Sequence, residues 1–369
     1  MKKKILVLGA TGSIGKSTLD IIRNNPDRFA VAGLCANRNG EELQSLAREF
    51  GNPKTVLVST DGEEALLSLI RSSDADVVVN GISGASGLIP SKVALEQGKD
   101  LALANKETIV MAGPLIRALA RSKGRKILPV DSEHSAVFSL IEAHGKDSIA
   151  EIILTASGGP FRTLDAKRLA SVTARDALKH PTWSMGAKIT IDSASLANKG
   201  LEVIEAVRLF DVPPTRVKVV VHPQSLVHSF VRTRDGVLYA QISKPDMRNP
   251  IHAALTWPDC VESSLEQLSF EEVCTMQFEP PRYADFPLLG LAYRAAGLSG
   301  SYTIAFNAAN EEAVAAFVSG AISFTALAEV TARVLEGDWT GEPDTFDAVL
   351  DSDARARITA QKAIKELRR

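Results

Sequence analysis

Short apolar runs alternate with helical patterns along the first third of this chain. The runs are residues 5–8, 31–34, 55–58, 76–79 and 101–104. Strands that are apolar over their whole length, with helices between them, are typical of a parallel sheet covered on both faces. The pattern therefore predicts an α/β domain over residues 1–130.

The pattern of apolar positions changes after residue 130. Longer apolar runs follow at residues 151–155, 218–222 and 237–242. They are interrupted by a polar stretch, which predicts an α+β domain over residues 131–257. Residues 258–285 contain several prolines and little periodicity, which indicates a connecting arm.

Helical periodicity dominates the rest of the chain. It occurs at residues 292–296, 310–318, 325–335 and 354–367. Gly297, Gly320 and Gly337 stand where these helices would end. We therefore expect a C-terminal α-helical domain over residues 286–369.

Composition and charge argue against several classes of protein, namely nucleic-acid-binding, membrane and secreted proteins. The chain has 369 residues, 45% hydrophobic and 23% charged, with a formal net charge of −2. This balance gives no general attraction for nucleic acid or for an anionic membrane. The apolar run after Lys4 is too short for a signal peptide, and no run is long enough to span a bilayer. Three scattered cysteines favour a reducing cytoplasm.

A glycine-rich turn joins the first predicted strand to the first predicted helix. The segment Gly9 to Gly15 has the spacing G-x-x-G-x-x-G, with Thr11, Gly12, Ser13 and Ile14 inside it. Glycines allow backbone N–H groups to approach a pyrophosphate at a helix N-terminus, which predicts a Rossmann-like dinucleotide site. A tight turn without a ligand is the alternative.

The end of the second strand bears on which nicotinamide cofactor would bind. Arg38 and Asn39 follow this strand, and the acid that an NAD site would place there is missing. A guanidinium suits a 2′-phosphate, which favours NADP over NAD. A solvated loop charge is the alternative for Arg38.

Asn105, Lys106 and Glu107 follow the strand at 101–104, where a ligand would sit in such a sheet. Asn105 and Glu107 are candidates to contact the cofactor, and Lys106 is a candidate to face the substrate. An exposed Lys–Glu ion pair of little energetic value is the alternative.

Carboxylates further along the chain predict a metal site. Asp131 and Glu133 are two residues apart, and in an extended chain they would point to the same side. With Glu202 they would offer three oxygen ligands, which suits Mg²⁺ or Mn²⁺ rather than zinc. Solvent-facing loop acids are the alternative. His134 could complete a mixed metal site, although a histidine near a helix start is more often a hydrogen-bonded support.

A second polar group predicts a phosphate pocket. Ser157, Ser193, Asn198 and Lys199 offer hydroxyl, amide and ammonium donors, although each serine alone is more typical of a turn or cap. His180 and Trp183 lie in a loop that could cover the substrate and exclude water. A tryptophan packed in a hydrophobic seam is the alternative.

Together these segments resemble the 1-deoxy-D-xylulose-5-phosphate reductoisomerase family. The motifs that carry the resemblance are G-A-T-G-S-I-G, L-A-N-K-E, V-D-S-E-H-S-A, A-S-G-G-P-F, H-P-T-W-S-M-G-A-K-I-T-I-D-S-A-S-L-A-N-K-G-L-E and H-P-Q-S-L-V-H-S. The resemblance covers the whole chain in order; Asn37 departs from it, at a position where relatives often have glycine.

The resemblance implies an enzyme of isoprenoid precursor biosynthesis that is a cytoplasmic homodimer. It would rearrange and reduce 1-deoxy-D-xylulose 5-phosphate to 2-C-methyl-D-erythritol 4-phosphate, using NADPH and a divalent metal. The middle domain would be catalytic, with Lys106, Glu133 and His180 as catalytic groups and Asp131, Glu133 and Glu202 as metal ligands. Implied substrate contacts are Lys106, Ser132, Glu133, Ser157, His180, Trp183, Ser193, Asn198, Lys199 and Glu202. Implied NADPH contacts are Thr11, Gly12, Ser13, Ile14, Arg38, Asn39, Asn105, Glu107 and Gly186.

Two other functions compete with this hypothesis. A homoserine-type NADP dehydrogenase would use the glycine-rich turn and Lys106 without a carboxylate-bound metal. A non-catalytic nucleotide sensor would bind NADPH and turn over no phosphorylated ketose.

Overall fold

The computed structural model describes residues 2–179, 183, 185–271 and 273–368. The chain divides into two compact units. The first comprises Met1–Thr108, Ile116–Phe138 and Asp246–Gln267, and the second comprises Ile109–Leu115, Ser139–Pro245 and Leu268–Arg369. The two units do not test the four predicted domain ranges, which stay predictions.

A six-stranded sheet forms the centre of the first unit. Its strands are β1 (Lys3–Leu8), β2 (Phe29–Ala36), β3 (Lys54–Leu57), β4 (Val77–Asn80), β5 (Asp100–Leu103) and β6 (Ile127–Pro129). All neighbours pair in parallel, in the order β3-β2-β1-β4-β5-β6. The order reverses between β1 and β4, which opens a crevice at the carboxyl ends of these strands. The predicted Rossmann-like sheet is confirmed.

A smaller mixed sheet belongs to the second unit. Its strands are β7 (Ile149–Ala156), β8 (Val217–Val221), β9 (Val227–Thr233) and β10 (Leu238–Ile242), in the order β10-β9-β7-β8. β7 pairs in parallel with β8, and β9 is antiparallel to both β7 and β10. The predicted α+β character is confirmed, although the sequence pattern did not predict β9.

Helices surround both sheets. They are α1 (Ser13–Asn24), α2 (Gly40–Glu49), α3 (Val58–Asp61), α4 (Glu63–Ser72), α5 (Leu88–Glu96), α6 (Lys106–Ser122), α7 (Ser132–His144), α8 (Ala166–Leu169), α9 (Ala174–Ala177), α10 (Ala187–Ala194), α11 (Ala197–Phe210), α12 (Arg248–Thr256), α13 (Pro287–Gly297), α14 (Tyr302–Val318), α15 (Ala326–Leu335) and α16 (Phe346–Glu366). Within the described ranges, none is both long and apolar enough to cross a membrane.

The helix α12 belongs to the first unit because its apolar side chains are part of that unit's core. Ile5 and Val7 of β1 are buried with Leu19 of α1, and Ile251 and Leu255 of α12 join the same cluster. The helix α12 therefore completes the cover over one face of the parallel sheet.

The C-terminal helices pack on one another within the second unit. α14 contacts both α15 and α16 along its length. Phe306 of α14 is fully buried, and Gly200 of α11 packs against Ala292 of α13. The predicted C-terminal helical region is confirmed, and it contacts the helix that carries Lys199 and Glu202.

Candidate active site

The glycine-rich turn lies at the carboxyl end of β1, where the strand order reverses. The N–H groups of Gly9 and Ala10 donate to the carbonyl of Cys35, at 2.9 and 2.7 Å. Gly9 has a φ of +83°, and a Cβ there would lie 2.9 Å from the carbonyl oxygen of Gly81. Only glycine fits this left-handed, closely packed position.

The N-terminus of α1 faces the same turn. Gly12 is its N-cap, no side chain caps it, and its first turn has no acidic residue. Thr11 is half-buried, whereas Gly12 and Ser13 are exposed. Ile14 packs against the apolar core, and this contact fixes the start of the helix. The exposed N–H groups and the helix dipole can therefore bind an anion such as a pyrophosphate.

The thiol beside this turn is chemically inert. Burial raises the pKa of Cys35 to about 12, because a thiolate there would lose its hydration. Its carbonyl oxygen, rather than its sulfur, accepts the hydrogen bonds from the turn.

Arg38 and Asn39 are exposed immediately after β2. Asn39 caps α2: its Oδ1 accepts from the N–H of Glu42 at 3.2 Å, and its Nδ2 donates to the Glu42 carboxylate at 2.6 Å. The Asn39 side chain thus caps a helix, whereas Arg38 stays a candidate for the 2′-phosphate because it is exposed directly after β2.

Asn105 organises the loop between β5 and α6. Its Nδ2 donates to the carbonyls of Ile82 and Gly84, at 2.7 and 2.8 Å, and to the carboxylate of Glu107 at 3.0 Å. Its Oδ1 accepts from the N–H of Thr108 at 3.0 Å, which caps α6. The loop is therefore held rigidly at the edge of the sheet where a cofactor would lie.

Lys106 and Asp131 form a buried ion pair within the first unit. The Nζ of Lys106 lies 2.6 Å from Oδ2 of Asp131, and the two side chains are 6% and 11% exposed. Glu107 is also buried. The alternative of an exposed Lys106–Glu107 pair is therefore wrong, and so is that of Asp131 as a solvent-facing acid.

Asp131 and Glu133 lie at the start of α7 rather than in the predicted extended chain. Glu133 lies in the first helical turn, and its N–H donates to Oδ1 of Asp131 at 3.2 Å. The predicted extended conformation is wrong, because α7 begins at Ser132, between the two acids. The ring Nδ1 of fully buried His134 lies 3.1 Å from the same Oδ1, so the predicted supporting role of His134 is confirmed. Ser132 donates to the Glu133 carboxylate.

The first turns of α11 carry a second buried carboxylate. Glu202 is 1% exposed, and it accepts from Nδ2 of Asn198 at 2.5 Å and from Lys199, which is 3% exposed. The spacings i,i+3 and i,i+4 put all three on one helix face. Helical spacing thus brings the carboxylate of Glu202 to both Asn198 and Lys199.

The loop after β7 and the end of α10 are in close contact. Gly159 has a φ of +67°, and a Cβ there would lie 2.7 Å from the carbonyl oxygen of Ser193. The N–H of Gly159 donates to Oγ of Ser157 at 3.2 Å. The structure thus brings the loop that carries Ser157 against the end of α10, which carries Ser193.

The segment predicted to cover the substrate is described only in part. His180 lies outside the described residues. Trp183 is half-buried, with its ring centroid 6.5 Å from that of His228, and Gly186 is the exposed N-cap of α10. The Nε2 of His228 lies 3.0 Å from Oγ of Ser243, which supports a structural role for this histidine.

Comparisons with known proteins identify the family of this chain. Models for 1-deoxy-D-xylulose 5-phosphate reductoisomerase match residues 5–63 and 59–113, and models for its C-terminal domains match residues 127–210 and 242–359. The reductoisomerase of Treponema denticola is 51% identical over 97% of this chain and 96% of its own length. The chain belongs to the 1-deoxy-D-xylulose 5-phosphate reductoisomerase family.

Solved structures of reductoisomerases have the same fold. The enzyme from Zymomonas mobilis in complex with NADPH is 40% identical and has a TM-score of 0.91 over 100% of both chains. A reductoisomerase in complex with NADPH, fosmidomycin and magnesium is 36% identical, with a TM-score of 0.91 over 99% of both chains.

One polar residue at the crevice of this reductoisomerase-family chain escaped the sequence analysis. Asn80 ends β4, is fully buried, and donates to the carbonyl of Gly87 and to Oγ of Ser91, at 2.9 and 2.7 Å. A Cβ at Gly87 would lie 2.4 Å from the side chain of Asn105. A polar residue at the carboxyl end of a buried strand was the signal that could have revealed it.

Proposed function

We propose that this chain converts 1-deoxy-D-xylulose 5-phosphate into 2-C-methyl-D-erythritol 4-phosphate with NADPH and a divalent metal ion, a step of isoprenoid precursor biosynthesis. Two buried lysine–carboxylate contacts carry the proposal, Lys106 with Asp131 and Lys199 with Glu202. Charged side chains are rarely buried unless they are paired, and such groups cluster at functional sites. Membership of the family supplies the reaction.

The metal ion is proposed to bind Asp131, Glu133 and Glu202. Carboxylate oxygens with water in the remaining positions suit Mg²⁺ or Mn²⁺. A bound ion would polarise the ketone of the substrate and stabilise negative charge on its oxygens. The chain orients the ligands itself: Lys106 holds Asp131, and Lys199 holds Glu202. A relative solved with magnesium supports this assignment.

Ser157, Ser193, Asn198 and Lys199 are proposed to bind the phosphate of the substrate. The packing of Gly159 on the Ser193 carbonyl supports a common pocket for the two serines. A phosphate held away from the reacting carbons would orient the substrate, because its binding energy is available for positioning.

Proton transfer is proposed to involve Lys106, Glu133 and His180. Lys106 would donate a proton to an oxygen of the substrate, and its buried ammonium group, 2.6 Å from Asp131, supports this role. Glu133 would accept the proton of the substrate hydroxyl, assisted by Ser132. Trp183 would cover the bound substrate and exclude water from the hydride transfer.

NADPH is proposed to bind along the crevice of the parallel sheet and to supply the hydride. Its pyrophosphate would rest on the turn formed by Thr11, Gly12, Ser13 and Ile14. Its 2′-phosphate would pair with Arg38, next to Asn39. Asn105, Glu107 and Gly186 would contact the rest of the cofactor, and the rigid capping by Asn105 supports its part.

A homodimer is proposed on the edge strand β10. Leu238 and Ile242 are 45% and 42% exposed on this outer strand, and Val237, which directly precedes it, is 46% exposed. An apolar sheet edge is a template for pairing, and a second copy would cover it isologously. Leu238→Lys should yield monomers in light scattering; a dimer that persists would contradict the proposal. We also propose a cytoplasmic location, for which the three scattered cysteines are the support.

The test is turnover. Purified protein with 1-deoxy-D-xylulose 5-phosphate, NADPH and Mg²⁺ should oxidise NADPH and form 2-C-methyl-D-erythritol 4-phosphate; EDTA should stop the reaction, and excess Mg²⁺ should restore it. Asp131→Asn should abolish turnover, whereas the exposed-surface control Asp147→Asn should not. Hydride transfer that persists in EDTA would favour the metal-independent dehydrogenase, and NADPH binding without turnover would favour a nucleotide sensor.

A further inference from the structure

The short helix α10 determines where Ser193 lies. Ser193 is the penultimate residue of this eight-residue helix, and Gly159 packs directly on its carbonyl oxygen. A movement of α10 would therefore shift both Ser193 and the loop of Ser157. Isolated helices of this length are unstable, and the N-cap, Gly186, provides no side-chain hydrogen bond. The position of α10 must come from tertiary contacts.

Asp192 supplies such a contact. Its side chain is 1% exposed, and its Oδ2 lies 3.0 Å from Nζ of Lys188, one turn earlier on the same helix. Its Oδ1 accepts from Nδ2 of Asn310, on α14, at 2.8 Å. Asn310 is fully buried as well. The bond thus joins two buried groups on different helices, and a buried carboxylate that lost a donor would be strongly disfavoured.

We propose that Asn310 is a positioning residue for substrate binding, and that it acts through Asp192 on Ser193. Asn310 does not touch the substrate in this account. Its hydrogen bond fixes α10 against α14, and α10 in turn fixes the serine hydroxyl that binds the phosphate. The proposal rests on the function proposed above, because it needs Ser193 in the phosphate pocket.

Helix α14 offers a matched control. Asn307 lies one turn before Asn310 and is equally buried, and its Nδ2 donates to Glu311 of the same helix at 3.2 Å. In both asparagines the Oδ1 is buried with no hydrogen-bond partner among the described residues. Asn307→Ala therefore removes the same group from the same helix, but leaves the bond to α10 intact.

The experiment compares steady-state kinetics of Asn310→Ala, Asn307→Ala, Ser193→Ala and the double variant Ser193→Ala/Asn310→Ala. We expect Asn310→Ala to raise the KM for the phosphorylated ketose about tenfold, with the KM for NADPH unchanged and kcat within about threefold. Asn307→Ala should change the substrate KM less than about twofold. The double variant should be no worse than Ser193→Ala alone, since residues that act through one another are not additive.

Additive effects of Ser193→Ala and Asn310→Ala, or equal effects of the two asparagine variants, would overturn the proposal. An unchanged substrate KM in Ser193→Ala would instead remove Ser193 from the phosphate pocket, and a wild-type chain without turnover would remove the proposed function itself. If Asn310→Ala does not fold, the Asp192 variants decide. Asp192→Asn keeps an acceptor for Asn310 and should preserve the KM better than Asp192→Ala; equal effects would refute the proposal.

Discussion

The first turn of α1 has no room for a side chain at Gly15. An ideal Cβ there would lie 2.3 Å from the carbonyl oxygen of Gly9 and 2.5 Å from Cα of Ala10, whereas ordinary contacts begin at 3.4 Å. Both neighbours are backbone atoms, which no rotamer change can move. Gly15→Ala should therefore push the helix start away from the turn by about 1 Å, and disturb the N–H groups that would hold a pyrophosphate.

Whether Gly15→Ala stabilises or destabilises the protein distinguishes this clash from ordinary helix propensity. In an open helix Gly→Ala stabilises by up to about 1 kcal/mol, because alanine loses less backbone entropy. Overpacking costs about 1–3 kcal/mol, so we expect net destabilisation. The Kd for NADPH should rise at least about tenfold, which corresponds to about 1.4 kcal/mol.

Gly290 provides the matched control. It lies in the first turn of α13, is exposed, and has nothing within 4 Å of the position of a Cβ. Gly290→Ala should stabilise the protein and leave NADPH binding unchanged. The assay is a fluorescence titration with NADPH, together with urea unfolding. A Gly15→Ala variant that is stabilised and binds NADPH within twofold of wild type would refute the reasoning.

Further predictions concern cofactor choice, the buried ion pair and pH. Arg38→Ala should raise the KM for NADPH about tenfold and leave the KM for NADH unchanged. If the ratio of these two KM values is the same in the variant as in the wild type, Arg38 does not belong to the 2′-phosphate site. Lys199→Ala would leave Glu202 buried with one donor fewer, so kcat/KM should fall about tenfold or more, and unchanged kinetics would remove Lys199 from the site. Burial, and to a smaller extent Arg28, lower the pKa of His252. The unfolded chain then takes up this proton at a higher pH than the folded chain, so acidification from about pH 7 to pH 5.5 should lower the urea midpoint, and His252→Gln should flatten that dependence; parallel pH profiles would contradict it.

The strand series of the first unit could be predicted because buried parallel strands have continuous apolar runs. The strand β9 could not, since His228, Ser229 and Arg232 break up its apolar pattern. Ser229 is fully buried and His228 is nearly so. The burial of these polar residues depends on the packing of the folded sheet and not on the local sequence.

The chemistry of the site was predicted by residue type rather than by geometry. Lys106 is buried because it meets Asp131, 25 positions further along the chain, and no local pattern reveals that partner. The spacing of Asp131 and Glu133 predicts that they share one side of an extended chain, although a helix begins between them. The bond between Asp192 and Asn310 spans 118 positions and leaves no trace in local periodicity.

The main proposal is that Asp131, Glu133 and Glu202 bind one divalent ion. It is tested most directly by titrating the protein with Mn²⁺ and measuring free Mn²⁺ by electron paramagnetic resonance. We predict one tight site per chain in the wild type, lost in Asp131→Asn, in Glu133→Gln and in Glu202→Gln, and retained in Asp147→Asn. Unaltered Mn²⁺ binding in any one of the first three variants would contradict the account.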